Sequence, residues 1–291
     1  AIAAIFIPYH PDFQTSLRAA LGDTRPFPEL SGKLTNLHAD AVWALLDGAG
    51  VSVADVDVVG FHGHTIFHDP RNRRTMQIGD GDWLAHELGV DVVYDFRSAD
   101  VAAGGQGAPL VPLFHALLAP NDRPSCFLNI GGVANLTWVG LDADPARDDI
   151  FDHLLAFDVG PGNALIDDWV QHHTSQLFDD DGVLAGTGTV DGVVLEELLA
   201  HPYFEAPPPK SLDRTDFSTG PASRLSAADG AATLSMFTVE AIRLSAGLLP
   251  VPPKQWLVAG GGRKNSFLLG QLESSLSVPV RPTEAVGIDG D

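Results

Sequence analysis

Basic residues are scarce in this chain: 17 Lys and Arg stand against 38 Asp and Glu, a formal net charge of −21 over 291 residues. Lysine appears at Lys33, Lys210, Lys254 and Lys264 alone. A surface with that balance lacks the positive footprint that phosphate backbones demand, so nucleic acid is excluded as a default partner. Cysteine is almost absent. Cys126 stands by itself, so no intrachain disulfide can form and nothing indicates an oxidising compartment; cytoplasm is the expected location. Long apolar runs are missing too, and none reaches the roughly 18 residues of a membrane span. The first residues, from Ile2 to Pro8, lack the charged region and cleavage site of a signal peptide. No internal repeat and no low-complexity segment stands out.

What remains is the composition of a globular protein, 45% hydrophobic and 19% charged, with a mean hydropathy of +0.08. The length suits one large domain or two modest ones. Short apolar runs ending in glycine or polar turns alternate with helical patterns, which is how α/β units read. Strands are expected at 56–61, 90–94, 126–130, 155–159 and 255–259. Helices are expected at about 34–48, with Leu34, Leu37, His38, Ala41 and Leu45 on one face, after Gly162 with Asn163 as cap, and at about 230–249.

Three glycine-rich turns follow predicted strands: Asn129-Ile130-Gly131-Gly132-Val133-Ala134-Asn135, Asp158-Val159-Gly160-Pro161-Gly162-Asn163 and Ala259-Gly260-Gly261-Gly262-Arg263-Lys264-Asn265. Glycine lets backbone N–H groups approach an anion, and a following helix adds a favourable field. One such turn alone would only make a tight connection; three in order point to a nucleotide phosphate. None has P-loop or Rossmann spacing. A fourth feature is Asp95-Phe96-Arg97 at a strand end, ahead of Gly104-Gly105-Gln106-Gly107. A carboxylate there can serve as general base towards water or a hydroxyl, or form a turn-stabilising pair with Arg97. Last, His62-Gly63-His64-Thr65 with His68 and Asp69 offers hydrogen bonds to a substrate, a structural turn, or two ligands of a metal whose remaining ligands would come from elsewhere.

In order, HGHT at 62–65, the run from Thr75 through Asp95 to Pro112, NIGGVAN, FDVGPGN, GGGRKN and TEAVG at 283–287 resemble the anhydro-N-acetylmuramic acid kinases over nearly the whole chain. The resemblance implies an α/β fold of the actin and hexokinase-like superfamily, two ribonuclease H-like domains closing over ATP. Domains are then expected at 1–124, carrying the sugar site and catalytic base, and at 125–282, carrying phosphate and adenosine loops, with 283–291 starting a return to the first domain. It implies Asp95 as the base that activates water against the anomeric carbon while O6 takes the γ-phosphate. His62, Gly63, Thr65, Arg97 and Glu284 would line the sugar. Gly131, Gly132, Asn135, Gly160, Gly162, Asn163, Gly260, Gly261, Gly262 and Asn265 would serve the nucleotide. ATP with Mg²⁺ and a homodimer are also implied, and no metal ligand is assigned among the side chains.

Two positions depart from the family, which usually has Gln where His64 stands and Ser where Phe61 stands. Residues 1–30 contain no glycine, threonine and aspartate loop of the kind that opens such kinases, and the natural polypeptide is expected to extend past both ends. The competing expectations are a kinase for plain 1,6-anhydroglucose, a catalytically silent actin-like nucleotide binder, and a metallohydrolase built on the 62–69 histidines.

Overall fold

The computed structural model describes residues 2–212 and 216–290. The chain divides into two compact units, Ala1–Leu110 and Val111–Asp291. Segment 111–124, expected with the first domain, belongs to the second unit, where its helix packs on the sheet.

The first unit runs α1 (Pro11–Ala20), α2 (Pro28–Ala49), β1 (Val59–Phe61), β2 (His64–Asp69), β3 (Arg74–Ile78), α3 (Gly81–Leu88), β4 (Val92–Tyr94) and α4 (Ser98–Ala103). Helix α2 covers the helix expected at 34–48 and extends it. Pro28 starts it, where the missing N–H costs nothing, and Gly50 ends it in the left-handed conformation at φ 65°. Two small cores share this helix. Leu34 packs with Phe13, Leu17, Ile66 and Ile78, and Ala39 packs with Phe61, Leu84 and Leu88. The strands form two pairs, β1 with β4 in parallel and β2 with β3 as an antiparallel hairpin.

The second unit runs α5 (Pro112–Leu118), β5 (Ser125–Ile130), β6 (Val133–Val139), β7 (Leu154–Pro161), α6 (Ala164–His173), α7 (Val183–Thr187), α8 (Gly192–Leu199), α9 (Ala227–Ala246), β8 (Gln255–Ala259), α10 (Ser266–Leu276) and β9 (Val280–Pro282). Its five strands lie in the order β7-β6-β5-β8-β9, with β5 antiparallel to β6, β6 antiparallel to β7, and β8 and β9 parallel to β5. Numbered within the unit this is 3-2-1-4-5 with the second strand reversed, the arrangement of a ribonuclease H-like domain. The period of two along each strand explains why both faces are covered. On β5, Cys126, Leu128 and Ile130 face the larger core with α6 and α9, while Phe127 faces a smaller one with Ala116 of α5. Burial raises the Cys126 thiol well above its usual range, as befits an inert core residue.

Helix α9, expected at 230–249 and found a few residues earlier, is buried nearly all round. Its small residues permit close crossings: a Cβ on Gly160 of β7 would stand 2.5 Å from the Ala241 Cβ. At the NIGGVAN motif the structure departs from a strand-turn-helix reading. Gly131 and Gly132 turn a β-hairpin, and residues 133–139 form β6.

Candidate active site

In the first unit, β1 and β4 run parallel with Phe61 opposite Tyr94, so the residues that follow, His62 and Asp95, emerge at the same end. There they border a cleft of about 280 Å³ whose walls include Phe61, His62, Gly63, Gln77, Tyr94, Asp95 and Ser98. Asp95 sits at φ 53°, in the left-handed region that Asp tolerates better than most side chains. A non-glycine residue held there beside a cleft is the kind of local strain that collects at functional sites. The Ser98 hydroxyl donates to Asp95 Oδ1 at 2.5 Å, fixing the carboxylate from the first turn of α4.

Arg97 turns the other way. Its Nε donates to His62 Nε2 at 3.1 Å and its Nη1 to the Gly107 carbonyl at 2.7 Å. With Nε2 accepting, the His62 proton resides on Nδ1, which lies 3.1 Å from the Gly63 carbonyl oxygen. Gly63 is at φ 68°, and a Cβ there would come within 2.4 Å of the Ile78 carbonyl oxygen. Asp100 Oδ2 accepts from the Gly107 N–H at 2.7 Å, which anchors the glycine-rich stretch to α4.

Thr65 stands behind the cleft wall and reaches it through Gln77. The Gln77 amide donates to Thr65 Oγ1 at 3.1 Å and to Thr75 Oγ1 at 3.0 Å. His64 is half-buried, and desolvation, reinforced by His62, lowers its pKa and favours the neutral ring. His68 Nδ1 pairs with Thr75 Oγ1 at 3.0 Å. His62 and His68 are thus used in local hydrogen bonding, and among the described residues no group of three or more His, Cys, Asp or Glu is placed to hold a metal ion.

In the second unit, β5, β7 and β8 point the same way, so all three glycine turns fall at one edge of the sheet. The first two lock together through hydrogen bonds, and the third packs against the end of β5. The N–H of Gly162 donates to Gly132 O at 3.0 Å, that of Asn163 to Gly131 O at 2.7 Å, and the Asn163 amide to Ile130 O at 3.0 Å. Asn163 therefore binds the neighbouring strand end instead of capping α6, whose first turn has no side-chain cap. Asn265 does cap a helix, accepting from Leu268 N at 3.0 Å. Asn163, Asp167, Phe178, Gly261, Lys264 and Asn265 border a cleft of about 370 Å³. Asn135 lies on β6, opposite Asn129 and Asp158, and does not border it.

The glycines sort into two groups. Gly160, Gly162, Gly260 and Gly262 are demanded by packing, since an added Cβ would meet the Ala241 Cβ, Gly131 O, Asn129 Oδ1 or Ile130 Cβ at 2.2–2.5 Å. At Gly131, Gly132 and Gly261 the nearest atom to such a Cβ is 3.6–3.7 Å away. At those three the described neighbours leave room for a side chain.

Glu284 is in the second unit, apart in sequence and in unit from His62, Gly63, Thr65, Asp95 and Arg97. Its Oε1 accepts from Arg263 Nε at 2.6 Å, and Arg263 Nη1 donates to Gly260 O at 2.9 Å, so Glu284 is tied to the turn after β8. Sequence reasoning missed Gln77 as a wall residue, Ser98 as the partner of Asp95, and Lys264 and Phe178 in the second cleft. The basic pair Arg263-Lys264 after three glycines was a usable signal for Lys264; Gln77, Ser98 and Phe178 become visible only when the hairpin, the start of α4 and the 178–182 loop are folded. No described helix is long and apolar enough to cross a membrane.

Residues 6–291 match the family model described as anhydro-N-acetylmuramic acid kinase. A protein of that name from Paramagnetospirillum magneticum is 49% identical over 292 residues, covering 99% of this chain and 80% of the relative. One from Acidiphilium cryptum is 53% identical over 257 residues, covering 86% and 69%. Among solved structures, a xylulose kinase from Lactobacillus acidophilus aligns with 81% of this chain and 47% of its own at 15% identity and a TM-score of 0.42. A ROK family glucokinase from Streptomyces griseus aligns with 85% and 84% at 14% identity and a TM-score of 0.36. The ribonuclease H-like order of the second unit's sheet is seen directly in its strand pairing. On the family match and the identities of its relatives, the chain belongs to the anhydro-N-acetylmuramic acid kinase family.

Proposed function

We propose that the protein is an ATP-dependent kinase that opens the 1,6-anhydro ring of anhydro-N-acetylmuramic acid and phosphorylates O6, returning a cell-wall sugar to metabolism in the cytoplasm. The observation that carries this reading is Asp95, a strained carboxylate bordering a cleft, oriented by Ser98 and flanked by His62. Asp95 takes a proton from water as the water oxygen bonds to the anomeric carbon. The bond from that carbon to O6 breaks, and O6 bonds to the γ-phosphorus as the β–γ bridging oxygen departs with ADP. Arg97, His62, Gly63 and, through Gln77, Thr65 shape the sugar side, in a lobe formed by the first unit.

The second unit supplies the nucleotide lobe. Gly131, Gly132 and Gly261 leave room for a close-lying anion, so the residues present fit a bound polyphosphate. Lys264 adds positive charge to the same cleft. Asp167, Asp179, Asp180 and Asp181 bring carboxylates to the same cleft border, where Mg²⁺ would need few protein ligands because phosphates supply the rest. When bound, Mg²⁺ neutralises charge on the β- and γ-oxygens. Gly160, Gly162, Gly260, Gly262 and Asn265 support the lobe by packing and capping, and Glu284 holds the turn after β8 through Arg263.

The test is the mass of the product formed from ATP, Mg²⁺ and the anhydro sugar. The expected product has gained one phosphate and one water. A phosphorylated product with the anhydro bridge intact would exclude Asp95 as the base of a coupled reaction.

A further inference from the structure

We propose that the Tyr94 ring is the platform on which the ring hydrogens of the anhydro sugar rest, an inference that depends on the kinase reading above. Tyr94 immediately precedes Asp95 and borders the same cleft. Its ring is backed by Gly81, where an added Cβ would fall 2.2 Å from two ring carbons. Its hydroxyl donates to Asp82 Oδ1 at 2.9 Å. Both anchors belong to the first turn of α3, which Asp80 caps by accepting from Trp83 N at 2.9 Å. The ring is thus fixed by its back and its tip, yet 40% of the residue stays exposed.

Phe61, its partner across the strand pair, is spent differently. It is only 4% exposed, and it packs on His38 with ring centroids 5.1 Å apart. A rigid aromatic ring left open beside a reacting carboxylate offers a ready-made surface to an apolar part of the ligand. The chemistry that fits is a bicyclic hexose. The 1,6-bridge locks the pyranose with its polar substituents axial, so the ring hydrogens project equatorially from its rim, and those weakly positive hydrogens match the negative face of the π-system. Stacking there would hold the anomeric carbon beside Asp95 without using a hydrogen bond, while the polar groups of Gln77 and His62 remain for hydroxyl or amide groups of the sugar.

The experiment is proton NMR of the anhydro sugar titrated with the protein, alongside steady-state kinetics. In the wild type the sugar ring hydrogens should shift upfield from the aromatic ring current. Tyr94→Leu should abolish that shift and raise KM for sugar about 5- to 10-fold, the loss expected for one aromatic contact, with KM for ATP nearly unmoved. Tyr94→Phe keeps the ring and loses the Asp82 anchor, so the shift should persist with a smaller rise in KM. Gly81→Ala offers a second handle that leaves Tyr94 in place, because the methyl must displace the ring, and it should reduce the shift and raise KM for sugar. If Tyr94→Leu keeps the wild-type shift and KM, the platform is refuted while the kinase reading stands. If the wild type shows no sugar-dependent ATP turnover, the kinase reading falls and this inference with it.

Discussion

The second unit buries a five-stranded sheet on both faces, while the first holds its cleft on a three-residue strand pair and a hairpin over two small cores. Both nonetheless place their polar groups at the carboxyl ends of parallel strands, where side chains and N–H groups emerge without breaking the ladder. The difference lies in what holds them. In the second unit two glycine turns brace each other through backbone hydrogen bonds and the third packs against the end of β5, so position is set by packing. In the first, single side chains do it: Ser98 for Asp95, Arg97 for His62, Asp82 for Tyr94. Substitutions in the first unit should therefore damage chemistry more than stability, and packing substitutions in the second should do the reverse.

The largest effect should follow Asp95→Asn. Asn accepts the left-handed backbone, so the fold should persist, while kcat falls by about 10²–10⁴, the usual cost of losing a positioned base. Steady-state turnover with a parallel melting curve checks this, and a loss of Tm with near-normal kcat would reverse the contrast between the units.

Next comes a pH effect confined to the second unit. His115 is stacked on Phe127 with centroids 4.5 Å apart and hydrogen-bonds Thr137 Oγ1 at 2.8 Å; burial lowers its pKa to about 4. In the unfolded chain the ring takes its proton near the ordinary value of about 6.5. Below that pH the unfolded state binds a proton that the folded state refuses until about pH 4, so stability contributed above 6.5 is lost as pH falls through this window. The loss is on the order of 3 kcal/mol. Denaturant melts of wild type and His115→Gln at pH 7 and 4.5 should show a smaller acid loss in the variant.

Smaller again, Gly162→Ala should cost about 1–3 kcal/mol by overpacking against the Gly131 carbonyl, read as a lower Tm.

Much of this was legible in the sequence because periodicity survives in long buried elements. β8 falls at 255–259 as expected, and β5, β7, α6 and α9 within a few residues. Asp95 was found because a carboxylate after Val-Val-Tyr marks a strand end. The hairpin at 64–78 was not foreseen, since its residues are only half-buried and carry weak alternation. β6 was hidden because Gly131-Gly132 reads equally as a turn into a helix or as the bend of a hairpin, and strand pairing decides between them. Nor does sequence distinguish a glycine required by its neighbours from one with room around it; Gly260 and Gly261 are adjacent, yet only Gly260 has a positive φ, at 75°, and close neighbours at its Cβ position.

The central claim, that the first unit serves the sugar and the second the nucleotide, is tested most directly by calorimetric titration of ATP into Gly261→Ala and Asp95→Asn. A methyl at Gly261 fits the protein but intrudes on the cleft border, so ATP affinity should fall by about tenfold, roughly 1.4 kcal/mol, without a change in Tm. Asp95→Asn should bind ATP within about twofold of wild type, a difference of roughly 0.4 kcal/mol. Wild-type affinity in Gly261→Ala, or an equal loss in both variants, would contradict that division.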